Sequence, residues 1–132
     1  MEDVNTSELL ITDKAIKAEM LKLRKIFKKH YTEKNEKGKD VNTDRGNLLE
    51  RLIYEAAFTR CVLSEAQRLI KEQGLETVTV NASQKFIKAV PAVSIYADYL
   101  RTYTKIIDTL INYIPDKTVR KESRLKALLM ND

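Results

Sequence analysis

Lysine side chains offer the most suggestive chemistry in this chain, and they are concentrated towards its N-terminal end. Residues 14–40 contain ten basic and four acidic residues, a net charge of +6, whereas the whole chain has a net charge of +5. Lys14, Lys22, Lys25 and Lys29 fall on a roughly common stripe away from the apolar residues of the first predicted helix, and Lys17 and Lys28 lie beside it. Such a stripe can neutralise successive phosphates of a nucleic acid. A solvated helix face is the simpler interpretation, since many basic proteins bind no nucleic acid.

Residues that commonly perform catalysis or bind metals are scarce and scattered. His30 is the single histidine and Cys61 the single cysteine, and they fall in different predicted helices without an acidic cluster at ligand spacing. This spacing argues against a zinc site and against a Cys-His dyad. The sequence contains no phosphate-binding loop, dinucleotide-binding turn or nucleophile elbow. We therefore expect no catalysis, no metal, no cofactor and no small-molecule substrate.

Apolar periodicity predicts the helices that position these residues. The first helix begins at Thr12, and Tyr31 near its end could stack on a base or cap the apolar seam. The second helix runs from residue 43 to 74, with Thr43 or the preceding asparagine as N-cap and Gly74 as its end. Two adjacent rows of apolar residues run along this second helix, so it must bury more than one face. We expect neighbouring chains to supply part of that cover.

A third long helix begins at Pro91 and ends at Pro115. Tyrosines and aliphatic residues repeat along it at steps of three and four, which is more typical of an interface or a core than of a platform on which bases stack. We assign an oligomer interface to Tyr96, Tyr99, Tyr103, Ile106 and Leu110. The C-terminal tail contains a short amphipathic helix over 123–130. Its apolar residues could dock on the core or be gripped by a partner, and they are Leu125, Leu128 and Leu129.

Two connecting segments differ in character. Residues 32–43 contain one apolar residue among twelve, which predicts a flexible, charged loop. Residues 76–88 contain β-branched residues on one side of Asn81, which favours a small β-hairpin of 76–80 with 84–88. The alternative is a short helix capped by Asn81 and Gln84.

The predicted fold class is mainly α, a long helical hairpin or three-helix architecture, with a possible small β-hairpin between the second and third long helices. We divide the chain into residues 1–42 (acidic tail, basic first helix and charged loop), 43–114 (central helical oligomerisation core) and 115–132 (C-terminal tail). No apolar run approaches the ~20 residues that cross a bilayer, and the N-terminus lacks the pattern of a signal peptide. We expect a cytoplasmic protein without a membrane partner.

Several short patterns, spread over residues 44–125, share their order and spacing with a known family. They are Asp44 through Leu48 and Leu52, Glu65-Ala66, Gly74-Leu75, Thr77-Val78-Thr79, Asn81, Pro91-Ala92-Val93 and Ser123-Arg124-Leu125. In this order the chain resembles the small terminase subunit of tailed bacteriophages, in the branch with a helical core. It departs from that family at Val90, where histidine is common, and after Asn81, where glycine is common. The first forty residues contain no helix-turn-helix pattern, so the mode of DNA contact stays open.

The resemblance implies a homo-oligomeric ring that binds double-stranded viral DNA during genome packaging in the host cell cytoplasm. It also implies a second partner, the large terminase subunit, which carries the ATPase and the nuclease. The six lysines are the candidate DNA contacts on charge placement alone, and the three leucines of the tail are the candidate grip for the large subunit. The alternative function is a non-enzymatic helical interaction protein, such as a virion scaffold, adaptor or regulator, without nucleic-acid binding.

Overall fold

The structure is a computed structural model, and it describes residues 8–81, 84–114 and 116–129. Its α-helices are α1 (Asp13–Phe27), α2 (Asp44–Gln73), α3 (Pro91–Ile111) and α4 (Lys117–Leu129). Antiparallel strands form two hairpins, β1 (Thr32–Lys34) with β2 (Asp40–Asn42) and β3 (Glu76–Asn81) with β4 (Gln84–Ala89). A 3-10 turn, Lys28–His30, follows α1. The predicted mainly α class is confirmed.

Side-chain caps fix where the first two helices begin. The Thr12 hydroxyl accepts a hydrogen bond from the Ala15 amide at 3.1 Å, and the Thr43 hydroxyl accepts one from the Gly46 amide at 2.9 Å. Each bond satisfies one amide that has no partner inside its helix. Gly74 ends α2 with a φ of 79°, in the left-handed region that glycine adopts at least cost. The predicted starts of both helices and the end of α2 are confirmed.

The main hydrophobic core is a cluster to which all four helices contribute. Its members include Ile16, Leu23 and Phe27 of α1, Ile53, Ala56, Ala57 and Leu63 of α2, Tyr103, Ile107 and Leu110 of α3, and Ala127 of α4. Helix α2 contacts α1 and α3 of the same chain. The prediction that α2 buries more than one face is confirmed. Because its own chain supplies the cover, the two apolar rows give no reason to expect neighbouring chains.

A smaller cluster forms where the end of α2 meets the start of α3. Ala66 and Leu69 pack there with Val90 and Ala92, and Leu9 from the N-terminal segment lies against them. The Arg68 guanidinium holds the same segment, since it donates a hydrogen bond to the Glu8 carbonyl at 2.9 Å. Residues 8–12 are therefore an irregular lead-in that docks on α2. The rest of the predicted acidic tail, residues 1–7, lies outside the described residues.

The segment predicted as a flexible charged loop is instead the β1–β2 hairpin, so that prediction is wrong. The Asn35 side-chain oxygen accepts hydrogen bonds from the Lys37 and Lys39 amides, both at 3.0 Å. The Gly38 amide donates to the Asn35 carbonyl at 2.9 Å, and Gly38 has a φ of 77°. Asparagine at the first position and a left-handed glycine at the fourth are typical of a tight hairpin turn. The charged composition of the segment concealed this turn.

The β3–β4 hairpin confirms the favoured interpretation of residues 76–88. Its register runs from Glu76 opposite Ala89 to Asn81 opposite Gln84. The alternative short helix capped by Asn81 and Gln84 is wrong, since Gln84 begins a strand. The Val90 amide donates to the Leu75 carbonyl at 3.0 Å and closes the hairpin at its base. This places Pro91 at the first turn of α3, where the missing amide hydrogen costs nothing.

Helix α4 begins earlier than predicted and docks on its own core. The Asp116 carboxylate accepts hydrogen bonds from the Thr118 and Val119 amides at 2.8 and 3.1 Å, which starts the helix at Lys117 rather than near residue 123. Ser123 and Ala127 are its buried residues. Helix α3 ends at Ile111, before the predicted end at 115. In the parts of the chain that the structure describes, no helix combines the length and the apolar character needed to cross a membrane.

Candidate nucleic-acid interface

The outer face of α1 carries most of the predicted lysines. Ile16, Leu23 and Phe27 point into the core, and the lysines that are exposed lie away from them. We call this surface the α1 basic face, and it consists of Lys14, Lys17, Lys25, Lys28 and Lys29. Lys28 and Lys29 stand in the 3-10 turn that prolongs the helix. The structure therefore brings five of the six predicted lysines onto one exposed surface.

Two basic neighbours of the α1 basic face, Lys22 and Arg24, are paired with carboxylates. Lys22 is half-buried and its Nζ lies 3.5 Å from Glu19 Oε1. Arg24 Nη2 lies 3.0 Å from Glu50 Oε2. None of the ion pairs among the described residues involves a lysine of the α1 basic face. The charges of the α1 basic face are therefore available to a phosphate. The charge of Lys22 is partly neutralised by Glu19, so Lys22 is a weaker candidate than its position in the sequence suggests.

Glu50 of α2 fastens the end of α1 to the core. It accepts hydrogen bonds from Arg24 Nε at 3.1 Å, from Arg24 Nη2 at 3.0 Å and from the Tyr31 hydroxyl at 2.8 Å. Burial by itself raises the pKa of Glu50, but the hydrogen bonds from Arg24 and Tyr31 and the charges of Arg24 and Lys28 bring it below its usual value. Burial, followed by the bond to Glu50, raises the pKa of Tyr31. At neutral pH a carboxylate thus faces a protonated phenol, which suits a charge-assisted hydrogen bond.

Tyr31 also joins the β1–β2 hairpin to the start of α2. Its carbonyl accepts hydrogen bonds from the Thr43 amide and the Thr43 hydroxyl, both at 3.0 Å. Gly46 lies against the same residue, because a Cβ built on Gly46 would stand 2.8 Å from Tyr31 Cδ2 and closer still to the Tyr31 carbonyl oxygen. The Tyr31 side chain is buried. Of the two roles considered for it, capping the apolar seam is confirmed and stacking on a base is wrong.

His30 and Cys61 lie in surroundings that keep both neutral. Burial, followed by the charge of Lys29, lowers the pKa of His30, and its Nε2 is buried with no hydrogen-bond partner within the described structure. Burial, followed by the charges of Glu19 and Glu65, raises the pKa of the Cys61 thiol. Over the described residues, histidine, cysteine and carboxylate side chains form no group of three that could hold a metal ion.

The predicted oligomer interface on α3 is partly wrong. Tyr103 and Leu110 are 1% and 2% exposed within the single chain, so they belong to its core and not to a surface that another subunit can reach. The Tyr103 hydroxyl donates to the Ala127 carbonyl at 2.6 Å, and burial raises the pKa of Tyr103 to about 12. The other three predicted residues, Tyr96, Tyr99 and Ile106, are partly buried against the core. Periodicity identified an apolar face correctly but not the helix of the same chain that covers it.

The three leucines predicted as a partner-binding tail divide into two groups. Leu128 packs against the main core. Leu125 and Leu129 are 57% and 60% exposed, one helical turn apart on the outer face of α4. Only these two are available to a partner.

The sequence-based reasoning missed the junction at Tyr31, Gly46 and Glu50 and the ordered lysines of the β1–β2 hairpin. No local pattern indicates the junction, since it joins residues that are far apart in the chain. The hairpin had a signal, an asparagine followed three residues later by glycine. No protein-family model matches the chain, and no curated protein or solved structure is significantly similar to it.

Proposed function

We propose that this chain is a DNA-binding protein of the small terminase subunit type. In this proposal it binds double-stranded viral DNA as a homo-oligomer and presents that DNA to a large subunit that carries the ATPase and the nuclease. Catalysis by the chain itself is no part of the proposal. The observation that supports it is the α1 basic face: five exposed lysines of α1 and its 3-10 turn, none of them in an ion pair within the described structure, on a segment that is fastened to the core.

The length of this face suits a nucleic-acid backbone. Lys14 and Lys25 are eleven residues apart, which is about 16 Å along a helix that rises about 1.5 Å per residue. One strand of duplex DNA carries a phosphate about every 3.4 Å of its axis, so the face spans about five phosphates. The Arg24–Glu50 pair and the Tyr31–Glu50 hydrogen bond hold the helix at its C-terminal end. A fixed helix loses little backbone conformational entropy when it binds, so only the lysine side chains must be ordered.

The test is DNA affinity over a salt series for a variant that removes four exposed charges. Replacing Lys14, Lys17, Lys25 and Lys29 with glutamine keeps helix propensity nearly unchanged. Each lost phosphate contact should reduce the slope of log affinity against log salt by about 0.9, so the slope should fall by up to about 3.6. A matched variant replaces four exposed lysines of α3 and α4 with glutamine: Lys105, Lys117, Lys121 and Lys126. We expect this control to bind DNA like the wild type.

Two results contradict the proposal. The first is a wild-type chain that is not retained by duplex DNA at physiological salt. The second is an equal loss of affinity in both quadruple variants, because total charge rather than the α1 basic face would then determine binding.

A non-enzymatic interaction protein without nucleic-acid binding is the second candidate. The exposed pair Leu125 and Leu129 favours it, because a helix can lay apolar residues at positions i and i+4 into the groove of a protein partner. In that case the lysines of α1 are ordinary solvated surface. The salt series separates the two candidates, since only the first requires DNA affinity.

A further inference from the structure

The β1–β2 hairpin is ordered although it lies outside the hydrophobic core. Among the side chains that the structure describes, none from either strand belongs to the two buried clusters. Residues 33–39 are exposed and Val41 is 40% exposed. Short two-stranded hairpins are marginal in water without packing, so other contacts must hold this one in place.

Two sets of hydrogen bonds supply that order. At the tip, the Asn35 side chain and the left-handed Gly38 fix the turn. At the base, the Tyr31 carbonyl accepts both hydrogen bonds from Thr43, and the Thr32 hydroxyl donates to the Lys28 carbonyl at 3.1 Å. The base is therefore attached directly to the end of the α1 basic face.

The tip extends the positive surface beyond α1. Residues 34–39 contain three lysines and one acid, Glu36, a net charge of +2. Glu33 and Asp40 flank this segment, so the hairpin 32–42 is neutral as a whole and its positive charge is confined to the tip. All three lysines are exposed, and within the described structure none takes part in an ion pair: Lys34, Lys37 and Lys39. A strand rises about 3.4 Å per residue, which carries the tip about 10 Å from Thr32 to Asn35.

We propose that the β1–β2 hairpin is a second DNA-contact element, which brings Lys34, Lys37 and Lys39 to phosphates beyond those that α1 reaches. The inference rests on the proposed DNA-binding function. The hairpin reaches a fixed distance from the end of α1, because its own turn fixes the conformation of the tip and the hydrogen bonds to Tyr31 fix the position of the base. The contact is to phosphates and increases affinity without reading base sequence.

The first test removes the charges of the tip. In the full chain, Lys34, Lys37 and Lys39 are replaced with glutamine, and affinity for a duplex DNA is measured from about 50 to about 200 mM salt. We expect the log–log slope to fall by about 2.7, so the loss of affinity over this range should be smaller by about 40-fold. The matched control replaces three exposed lysines elsewhere: Lys105, Lys117 and Lys121. The control should keep the wild-type slope.

The second test changes the shape of the tip without changing its charge. Gly38→Val places a β-branched residue at a φ of 77°, which such residues avoid, whereas Gly38→Asn places there a residue that tolerates this region. Nothing lies within 4 Å of a Cβ at Gly38, so neither variant clashes with the core. We expect Gly38→Val to weaken DNA binding several-fold and Gly38→Asn to bind like the wild type, with equal unfolding midpoints.

The outcomes separate this inference from the proposed function. If the α1 variant loses affinity while the triple tip variant keeps the wild-type slope, the hairpin inference is overturned and the proposed function stands. Equal binding by Gly38→Val and the wild type would also overturn it, since a fixed tip would then be irrelevant. If the wild-type chain does not bind DNA at all, both fail together.

Discussion

Gly46 lies where the first turn of α2 comes close to Tyr31 of the preceding chain. Its amide donates a hydrogen bond to the Thr43 hydroxyl, which caps the helix. Because glycine has no side chain, there is room for the Tyr31 carbonyl and ring. Any larger residue must push against backbone rather than against the flexible end of a side chain. The requirement for glycine is therefore a tertiary one, although the residue stands in a helix where alanine has the better propensity.

We expect Gly46→Ala to lower the free energy of unfolding by about 1–3 kcal/mol, the usual cost of overpacking. This loss should occur although alanine is by itself better than glycine in a helix by about 1 kcal/mol. Urea unfolding of the two proteins measures the difference. Asn47→Ala is the matched control, because Asn47 is exposed and one position further along the same turn.

The control should be unchanged or more stable by a few tenths of a kcal/mol, as alanine has the higher propensity. Should Gly46→Ala be as stable as Asn47→Ala, the close approach of Tyr31 would not be a constraint on this position.

For single residues, the sequence alone predicted those structural roles that depend only on nearby residues. Thr12, Thr43 and Gly74 were identified as ends of helices because a cap depends on its own residue and the next turn. Tyr31 and Glu50 could not be paired in the same way, since nineteen positions separate them. The burial that raises the pKa of Tyr31 and the hydrogen bonds that lower the pKa of Glu50 arise only when α1 packs on α2.

At the scale of elements, the two hairpins show what a residue pattern does and does not reveal. The β-branched residues of 77–80 predicted β3 correctly because they favour extended backbone. Composition misled for residues 32–43, where charge suggested a flexible loop although the asparagine and glycine of the turn favour a hairpin. Helix α4 was found, but its start was placed too late because the cap at Asp116 was overlooked.

Helix α4 provides the prediction that belongs to this scale. It docks through Ser123 and Ala127, whereas Leu125 and Leu129 face solvent. Replacing both leucines with glutamine should change the free energy of unfolding by less than about 0.5 kcal/mol, as is usual for exposed positions. Ala127→Gln should destabilise by about 1–3 kcal/mol, because Ala127 is fully buried and has no room for a longer side chain.

Thermal or urea unfolding of both variants measures this contrast. A large loss of stability in the leucine double variant would mean that these residues support the fold, and they would then no longer be candidates for gripping a partner.

At the scale of the whole molecule, one chain is sufficient to close the main core. The width of the apolar surface on α2 suggested that other subunits were needed, and this inference failed because α1 and α3 cover it on two sides. Periodicity reports how much surface must be buried. It does not say whether the covering helix lies in the same chain or in another.

This arrangement predicts how the protein responds to dilution. If it forms the proposed homo-oligomer, light scattering behind a sizing column should show a discrete assembly of several subunits at high concentration. Because the core of each chain is complete, circular dichroism should show unchanged helicity as the assembly dissociates. Helicity that falls together with mass would contradict a self-sufficient core, and a monomer at every concentration would contradict the ring.

The hydrogen bonds between Tyr31 and Thr43 also have a consequence for how the protein can vary. They join the residues that flank the hairpin on either side, so the peptide between them is a loop whose two ends are held together next to the helices. Doubling the length of such a loop costs only about 0.6 kcal/mol in loop-closure entropy. The fold should therefore tolerate insertions, deletions or grafted peptides at residues 33–41 more readily than within its helices. The footprint of this protein on a partner can change in size at that point while the helical framework stays as it is.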